Sequence, residues 1–457
     1  MADADANAIY NRMLDQLPKP GARDRALRRR ASSVLASLTH LDVKHLPPTY
    51  SQFYARGAGS HVTDCDGKDF VDFMGSFGPN LLGHGHPAVA AAVARQRRDG
   101  DTLAGPTARM VELAELLVRD TVPWATWARF AKNGGDATTL AARIARAATG
   151  RRLVLRAPRS YHGSAPMWIE GPRGAGRMLA AQGVADAEGP ALRVAYTFND
   201  LASVAAALDE HRGEVAAIVV AAFRWDYGRP AALATAHFLR GVRRLCDDRG
   251  VALICDDVRS SFRVHAAGTW ADPRFGHGVA PDLTCLSKGM ANGHALSAVL
   301  GAARWRRAAE KVTATGSFWA SSVPFAAALA TIPLAKRAIA RAVAAGTRLR
   351  EGLRRQAAAA GLGGFRQTGP VQMPFFHFEE ERGRPLGQRH RILLFCAVAA
   401  AGGVIFHPHH TMFISGGAHT DADIDAALAV TESAFARVVE FVKATAAAGR
   451  ERRRSRL

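Results

Sequence analysis

An α/β fold is what the sequence predicts: a mostly parallel sheet covered by helices, plus a smaller α+β portion built from both ends of the chain. Three observations carry this expectation. Short apolar, β-rich runs alternate with alanine-rich, helix-like stretches through the middle of the chain. Those runs are apolar throughout rather than alternating, as expected of strands buried on both faces. The turn-rich segment 61–72 and the region after residue 336 depart from that rhythm and form the smaller portion.

Segments 127–131, 152–155, 216–222, 251–255, 283–286 and 295–301 read as short buried strands. Between them, 137–148, 201–211 and 235–249 read as helices. The expected organisation is a helical N-terminal segment over 1–45, then the first part of a small domain over 46–104. A large domain follows over 105–335, the rest of the small domain over 336–445, and a basic tail over 446–457. No internal repeat is found.

Of the 457 residues, 48% are hydrophobic and 22% charged. Such a chain can bury a large core, which excludes wholesale disorder. Sixty Lys and Arg against 40 Asp and Glu leave a net charge of +20, which raises nucleic acid, membrane surfaces and acidic ligands as partners. Much of that charge sits in the arginine run from Arg23 to Arg30 and in the closing RERRRSRL; frayed, solvated termini are the plainer reading than a functional basic arm. With 7% aromatics and no zinc-finger spacing, no nucleic-acid partner is expected. The five cysteines are scattered and never at CxxC spacing, so neither a disulfide scaffold nor a structural zinc is expected, and a reducing cytoplasm is the reading. No apolar leader follows the N-terminus; 392–406 is too short for a bilayer, and Gly316, Pro324 and Pro333 interrupt 313–335. A soluble protein without a membrane partner is expected.

The chemistry concentrates in VALICDDVRSSFR (251–263) and PDLTCLSKGMANG (281–293). An apolar strand ends in Asp256-Asp257, at the edge where open α/β sheets place their ligands. A second apolar strand ends in Ser287-Lys288-Gly289. A desolvated lysine there can form an imine with a carbonyl cofactor, and a nearby buried aspartate can hold a ring nitrogen protonated. A strand-end lysine alone is more often structural; the paired context reverses that reading.

Here the chain resembles the class III, ω-amino acid and glutamate-1-semialdehyde aminomutase-like, aminotransferases of fold type I. Their pattern of apolar strand, Asp-Glu-Val, Gly-Phe, Pro-Asp and Lys-Gly is matched by Asp256-Asp257-Val258, Phe262-Arg263, Pro281-Asp282 and Ser287-Lys288-Gly289. The resemblance implies pyridoxal 5'-phosphate as cofactor, Lys288 as its covalent partner, Asp256 at the pyridine nitrogen and Val258 against the ring. FAKNGGDATTLAARIARAATG (130–150) is similar to the family's strand, Gly-rich turn and helix, so Asn133, Gly134 and Gly135 would offer backbone N–H groups to the phosphate. Tyr161-His162-Gly163 matches the stretch whose aromatic ring stacks on the pyridine. TGSFWASSVPFAAAL (315–329) aligns with the loop reaching the neighbouring subunit's phosphate, with Ser317 at the usual threonine. That implies a homodimer with shared sites. Asp66-Gly67, Asp72-Phe73 and Gly83–Pro87 resemble the family's N-terminal entry, so the likeness covers about 45 to 440.

Departures matter for the reaction. The usual Ser-Gly-Thr cup is Asn133-Gly134-Gly135, losing a hydroxyl. Ala221-Ala222 replace a common Glu-Pro, removing an acid from the pocket wall. Arg259 stands where many relatives carry glutamine beside the cofactor's phenolic oxygen, and a permanent cation there would stabilise the phenolate. No carboxylate clamp is evident; Arg366 is the nearest candidate, beside its reading as a surface arginine. Trp319 and Phe77 are expected to wall the substrate pocket. The cluster His407-Pro408-His409-His410 lacks a carboxylate or cysteine at ligand spacing, so structural or substrate-contacting roles are expected and no metal site.

The leading function is an aminotransferase moving an amino group between an amine and a ketone or aldehyde, in specialised metabolism such as amino-sugar or aminoglycoside tailoring. An aminomutase, epimerase or elimination enzyme on the same scaffold stays open. A basic binding protein leaves the two cofactor blocks unexplained.

Overall fold

Neighbouring residues along the central strands enter apolar clusters on opposite sides of one sheet, which is why those strands are apolar throughout. The computed structural model describes residues 2–36, 46–169, 187, 189–224, 230–379 and 388–454. In chain order its strands are β1 (Tyr54–Ala58), β2 (His61–Asp64), β3 (Asp69–Asp72), β4 (Trp127–Ala131), β5 (Leu153–Arg156), β6 (Arg193–Ala195), β7 (Val215–Ala221), β8 (Ala252–Asp256), β9 (Leu283–Leu286), β10 (Ser297–Gly301), β11 (Phe365–Thr368), β12 (Phe375–Phe378) and β13 (Val404–Ile405).

The large sheet has the order β4-β10-β9-β8-β7-β5-β6. From β9 to β6 all pairs are parallel; β10 runs antiparallel to both β9 and β4. Val154, Val219 and Ile254 pack on one face with Leu140, Ala141 and Ile144 of the helix Gly134–Thr149. Leu155, Val220 and Leu253 pack on the other with Phe238, Leu239 and Val242 of the helix Ala236–Arg249. Each such side chain contributes about 1.5–3 kcal/mol through burial.

The expected strands 127–131 and 283–286 coincide with β4 and β9, and the other four lie within two residues of theirs. The short edge strand β6 was not expected. The helix expected from residue 137 begins at Gly134, because Asn133 caps it: the Asn133 N–H donates to the Asp136 carboxylate at 2.7 Å. This reciprocal cap satisfies a donor that the helix start would leave unpaired.

A four-stranded sheet, β1-β2-β3-β13, joins distant parts of the chain through parallel pairing of Val71 with Val404. Phe70 and Phe73 share a core with Phe395, Phe406 and Phe435, and the Tyr50 hydroxyl donates to the Phe406 carbonyl. Part of the arginine run fastens the chain rather than fraying: Arg28 pairs with the fully buried Asp24 and donates to the Tyr50 carbonyl at 2.7 Å. At the other end, the helix Asp421–Arg454 extends into the segment read as a frayed tail; residues 455–457 lie outside the described ones. The helical stretch Ser322–Ala359 is long and apolar enough to cross a membrane by length and composition, yet 56% of its apolar window is buried inside the molecule. Phe325, Ala327 and Ala328 from it pack with Leu113 and Leu117.

Register fixes what reaches the site. Ala221 is the partner of Asp256, and Asp256 of Cys285. The C-terminal ends of β7 and β8 therefore lie side by side, and Lys288 follows the end of β9 by two residues.

Candidate active site

A cavity of about 1080 Å³ opens at that edge. Lys288, Asp256, Val258, Arg259, Tyr161 and the Asn133–Gly135 turn all line it, so the structure brings together eight of the nine residues singled out for the cofactor. Ser317 is the ninth. It is exposed and does not line this cavity, although its neighbours Thr315 and Trp319 do.

Lys288 is half-buried, with its backbone in the left-handed region at φ 44°. For a side chain with a Cβ this conformation is strained by about 1–3 kcal/mol, and it turns Nζ toward the Phe77 carbonyl, to which it donates at 2.9 Å. Burial pushes its ammonium down to about 8, helped by the Arg259 cation and opposed by Asp256. The amine is thus available as a nucleophile and base near neutrality.

Asp256 is anchored from two sides. His162 Nδ1 lies 2.6 Å from Oδ2, and the Val258 N–H donates to Oδ1 at 3.1 Å. Since a carboxylate oxygen accepts, Nδ1 carries the hydrogen in this contact. Its neighbour Asp257 faces away from the cavity: Ser260 and Thr269 donate to it, and burial raises its carboxyl to about 6.

The glycines have two reasons to be there. A Cβ on Gly134 would come within 2.4 Å of Val258 Cγ1, and one on Gly163, at φ 119°, within 2.4 Å of the Gly135 Cα. Only bare backbone lets the helix start, the Val258 side chain and the Gly163 turn approach this closely. The resulting cradle of N–H groups at a helix start suits a phosphate. With an amine and an anchored carboxylate in the same cavity, the residues present fit pyridoxal phosphate.

Arg259 lies with its guanidinium 4.6 Å from the Phe223 ring and donates to the Thr411 hydroxyl and the Phe223 carbonyl. Phe77 and Trp319 line the cavity as expected, and Ala221 lines it beside Asp256. Arg366, the nearest candidate for a carboxylate clamp, is not there; it pairs with Glu379 at 2.8 Å. Of the histidine cluster, His410 lines the cavity, and both His407 and His410 pack edge-on against Phe77. Burial holds His410 well below the usual imidazole range, with His407, Arg259 and Lys288 adding to the effect. Among the described residues, no group of three or more His, Cys, Asp or Glu is placed to hold a metal.

Sequence reasoning missed His162 as the partner of Asp256, and Arg159 and Lys132 as further cations of the cavity. His162 stood inside a recognised motif; nothing local marked the other two.

The family model for class III aminotransferases matches residues 44–434. An aminopentol aminotransferase from Sphingopyxis macrogoltabida is 40% identical over 423 residues, covering 92% of this chain and 95% of that protein. A glutamate-1-semialdehyde 2,1-aminomutase from Chloroflexus aurantiacus is 33% identical over 417 residues, covering 85% and 90%. Among solved structures, the pyridoxal phosphate internal aldimine form of FumI from Sphingopyxis sp. MTA144 superposes with a TM-score of 0.85 at 38% identity, over 92% of this chain and 97% of that one. An ω-transaminase from Sphaerobacter thermophilus gives a TM-score of 0.81 at 26% identity, over 92% and 98%. The chain belongs to the class III aminotransferases and is a pyridoxal phosphate-dependent aminotransferase of fold type I.

Proposed function

We propose that this aminotransferase takes the amino group of a primary amine bearing hydroxyl groups and passes it to a keto acid, with Lys288 as the covalent and proton-moving residue. The observation that carries this reading is the common cavity of Lys288, Asp256 and the glycine cradle. Bound there, pyridoxal phosphate supplies a reactive aldehyde carbon and a protonated ring that takes up electron density.

The chain's own residues do the rest. Asp256, an acceptor oriented by His162 and the Val258 N–H, holds the proton of the ring nitrogen. Val258 and Tyr161, which line the cavity, would flank the ring. Asn133, Gly134 and Gly135 bind the phosphate through N–H groups, and Ser317 of a second copy completes that cup in a homodimer. Arg259, a cation on the cavity wall, would stabilise the phenolic oxygen as an anion. Lys288 Nζ takes a proton from the substrate carbon and returns it, its low pKa matching that task.

Support for a hydroxylated amine comes from the pocket and from the relative named for an aminopentol. The cavity, about 1080 Å³, is at the upper end of ligand sites. It offers the hydroxyls of Ser76, Ser160, Ser164 and Thr315 beside Phe77 and Trp319. Arg366 contributes no clamp for an α-carboxylate. Five free thiols, four of them buried, suit a reducing cytoplasm.

Purified protein incubated with amino alcohols or amino sugars and pyruvate should form alanine and the matching carbonyl compound, followed by mass spectrometry. Conversion of a single substrate without pyruvate would instead establish an aminomutase. Lys288→Ala should lose the yellow colour of the covalently held cofactor and nearly all turnover; full activity there overturns the assignment.

A further inference from the structure

Four successive residues next to the catalytic lysine have positive φ: Gly75 at 50°, Ser76 at 51°, Phe77 at 66° and Gly78 at 104°. Ser76 and Phe77 carry a Cβ, so this left-handed turn persists only where its surroundings impose it. Two groups do so. Asp72 Oδ1 accepts the Met74 and Gly75 N–H groups, each at 2.9 Å. At the other end the guanidinium of Arg263 donates twice to the Gly78 carbonyl, from Nε at 3.1 Å and Nη2 at 2.9 Å.

Arg263 is an odd residue to bury. It is 2% exposed, and its partners are the Gly78 and Ile414 carbonyls and the Phe413 ring, 5.0 Å away; among the described residues no carboxylate pairs with it. A buried cation without a counter-charge costs stability, and an apolar side chain of like volume would fill the space at less cost. What the fork does is pin the carbonyl that follows Phe77. The Phe77 carbonyl in turn accepts the Lys288 Nζ–H at 2.9 Å. A carbonyl can engage only an N–H of a neutral amine, never its lone pair. Fixing that oxygen therefore fixes where the lone pair points.

We propose that Arg263 is a positioning residue for Lys288, acting through the left-handed turn Gly75–Gly78 and the Phe77 carbonyl. This rests on Lys288 being the catalytic amine. The charged and titratable groups about that amine are Arg259, Asp256, Arg263 and, farther along the cavity wall, His410.

The test compares Arg263→Met, Arg263→Lys, Ser76→Val and Ser76→Gly in the full chain. Arg263→Met should lower kcat about tenfold or more while KM for the amine changes less than about twofold. In the cofactor-free chain, competitive amine labelling read by mass spectrometry should show Lys288 becoming reactive at higher pH. Arg263→Lys, which keeps the charge without the fork, should restore the labelling profile and only part of kcat. Ser76 is exposed, so Ser76→Val spares the core; a β-branched residue disfavours the positive φ, and kcat should fall likewise. Ser76→Gly loses the same hydroxyl but accepts the positive φ, so its kcat should stay well above that of Ser76→Val. Parental kcat in both Arg263→Lys and Ser76→Val overturns the proposal, whether or not Arg263→Met folds. Turnover surviving Lys288→Ala would instead overturn the underlying lysine assignment.

Discussion

His162 Nδ1 lies 2.6 Å from Asp256 Oδ2, with both side chains buried. The imidazole is packed edge-on against Trp168 at 5.4 Å, and its Nε2 is buried without a hydrogen-bond partner among the described residues. Its polar contact is thus made at one nitrogen, and that contact orients the carboxylate.

Replacing Asp256 by Asn removes the charge that holds the ring proton. We expect kcat to fall roughly 100-fold or more, about 3 kcal/mol of barrier, with the fold and some cofactor binding retained. A fall of less than tenfold would mean that another acid serves the nitrogen. His162→Phe keeps the packing but leaves the Val258 N–H as the carboxylate's one remaining anchor among the described residues. Its expected loss is about tenfold. Because His162 acts through Asp256, the double variant should be little worse than Asp256→Asn alone. Additive losses would give His162 a role of its own.

The lowered pKa of Lys288 sets a pH dependence. Only the free amine attacks an aldehyde, so covalent uptake of pyridoxal phosphate by the cofactor-free chain should speed up about tenfold per pH unit and level off above about 8. For stability the sign is that of a base whose folded pKa is depressed. Between about 8 and 10.5 the unfolded chain binds more protons at this site, so the penalty is full below about 8 and fades as pH rises. Arg259→Gln removes the second cause of the shift and should move the midpoint of uptake upward, measured by stopped-flow absorbance. An unmoved midpoint would leave the shift to burial and Arg263.

What could be read from the sequence follows from where each signal resides. The central strands were legible to within two residues because burial on both faces leaves a continuous apolar mark, seen in β7 as VAAIVVA. Strand β6 left none: Arg193–Ala195 is three residues long, pairs with β5 alone among the described residues and is at most half-buried. That β4 and β10 oppose their neighbours depends on how the chain returns, which no local pattern records. Lys288 and Asp256 were legible because each ends an apolar run. Arg263 and His162 act across 185 and 94 residues of chain, so their residue types were visible and their tasks were not. The glycine pair carried two demands, phosphate approach and tight packing on Val258 and Gly163; the sequence suggested only the first.

That second demand is testable at Gly163. Its φ of 119° disfavours any side chain, and a Cβ would sit 2.4 Å from the Gly135 Cα, which belongs to backbone and cannot swing aside. Gly163→Ala should therefore displace the start of the helix Gly134–Thr149. We expect a loss of about 1–3 kcal/mol of stability together with weaker retention of pyridoxal phosphate on dialysis. Parental melting and retention would show that the turn relaxes without moving the cradle.

The last expectation concerns Ser317. It is exposed in a single chain, as is Phe318 at 67%, while Thr315 and Trp319 beside them line the cavity. An exposed aromatic next to hydroxyl-bearing residues is the composition of a contact surface, and a two-fold pair is the commonest homo-oligomer. If this loop completes a neighbour's phosphate cup, Ser317→Asp places a carboxylate against the phosphate and disables the neighbour's site by repulsion of like charges. Lys288→Ala disables a chain's own site. Each homodimer is then inactive, but in a mixed dimer the site holding the intact Lys288 receives the intact Ser317 of the other chain. Mixing the two variants and allowing exchange should restore about a quarter of the parental activity: half the dimers are mixed, each with one working site. Exchange is verified by native mass spectrometry with one chain tagged. Mixed dimers that form yet stay inactive would show that each chain completes its own site, and a Ser317→Asp variant with parental turnover would show that this loop reaches no phosphate.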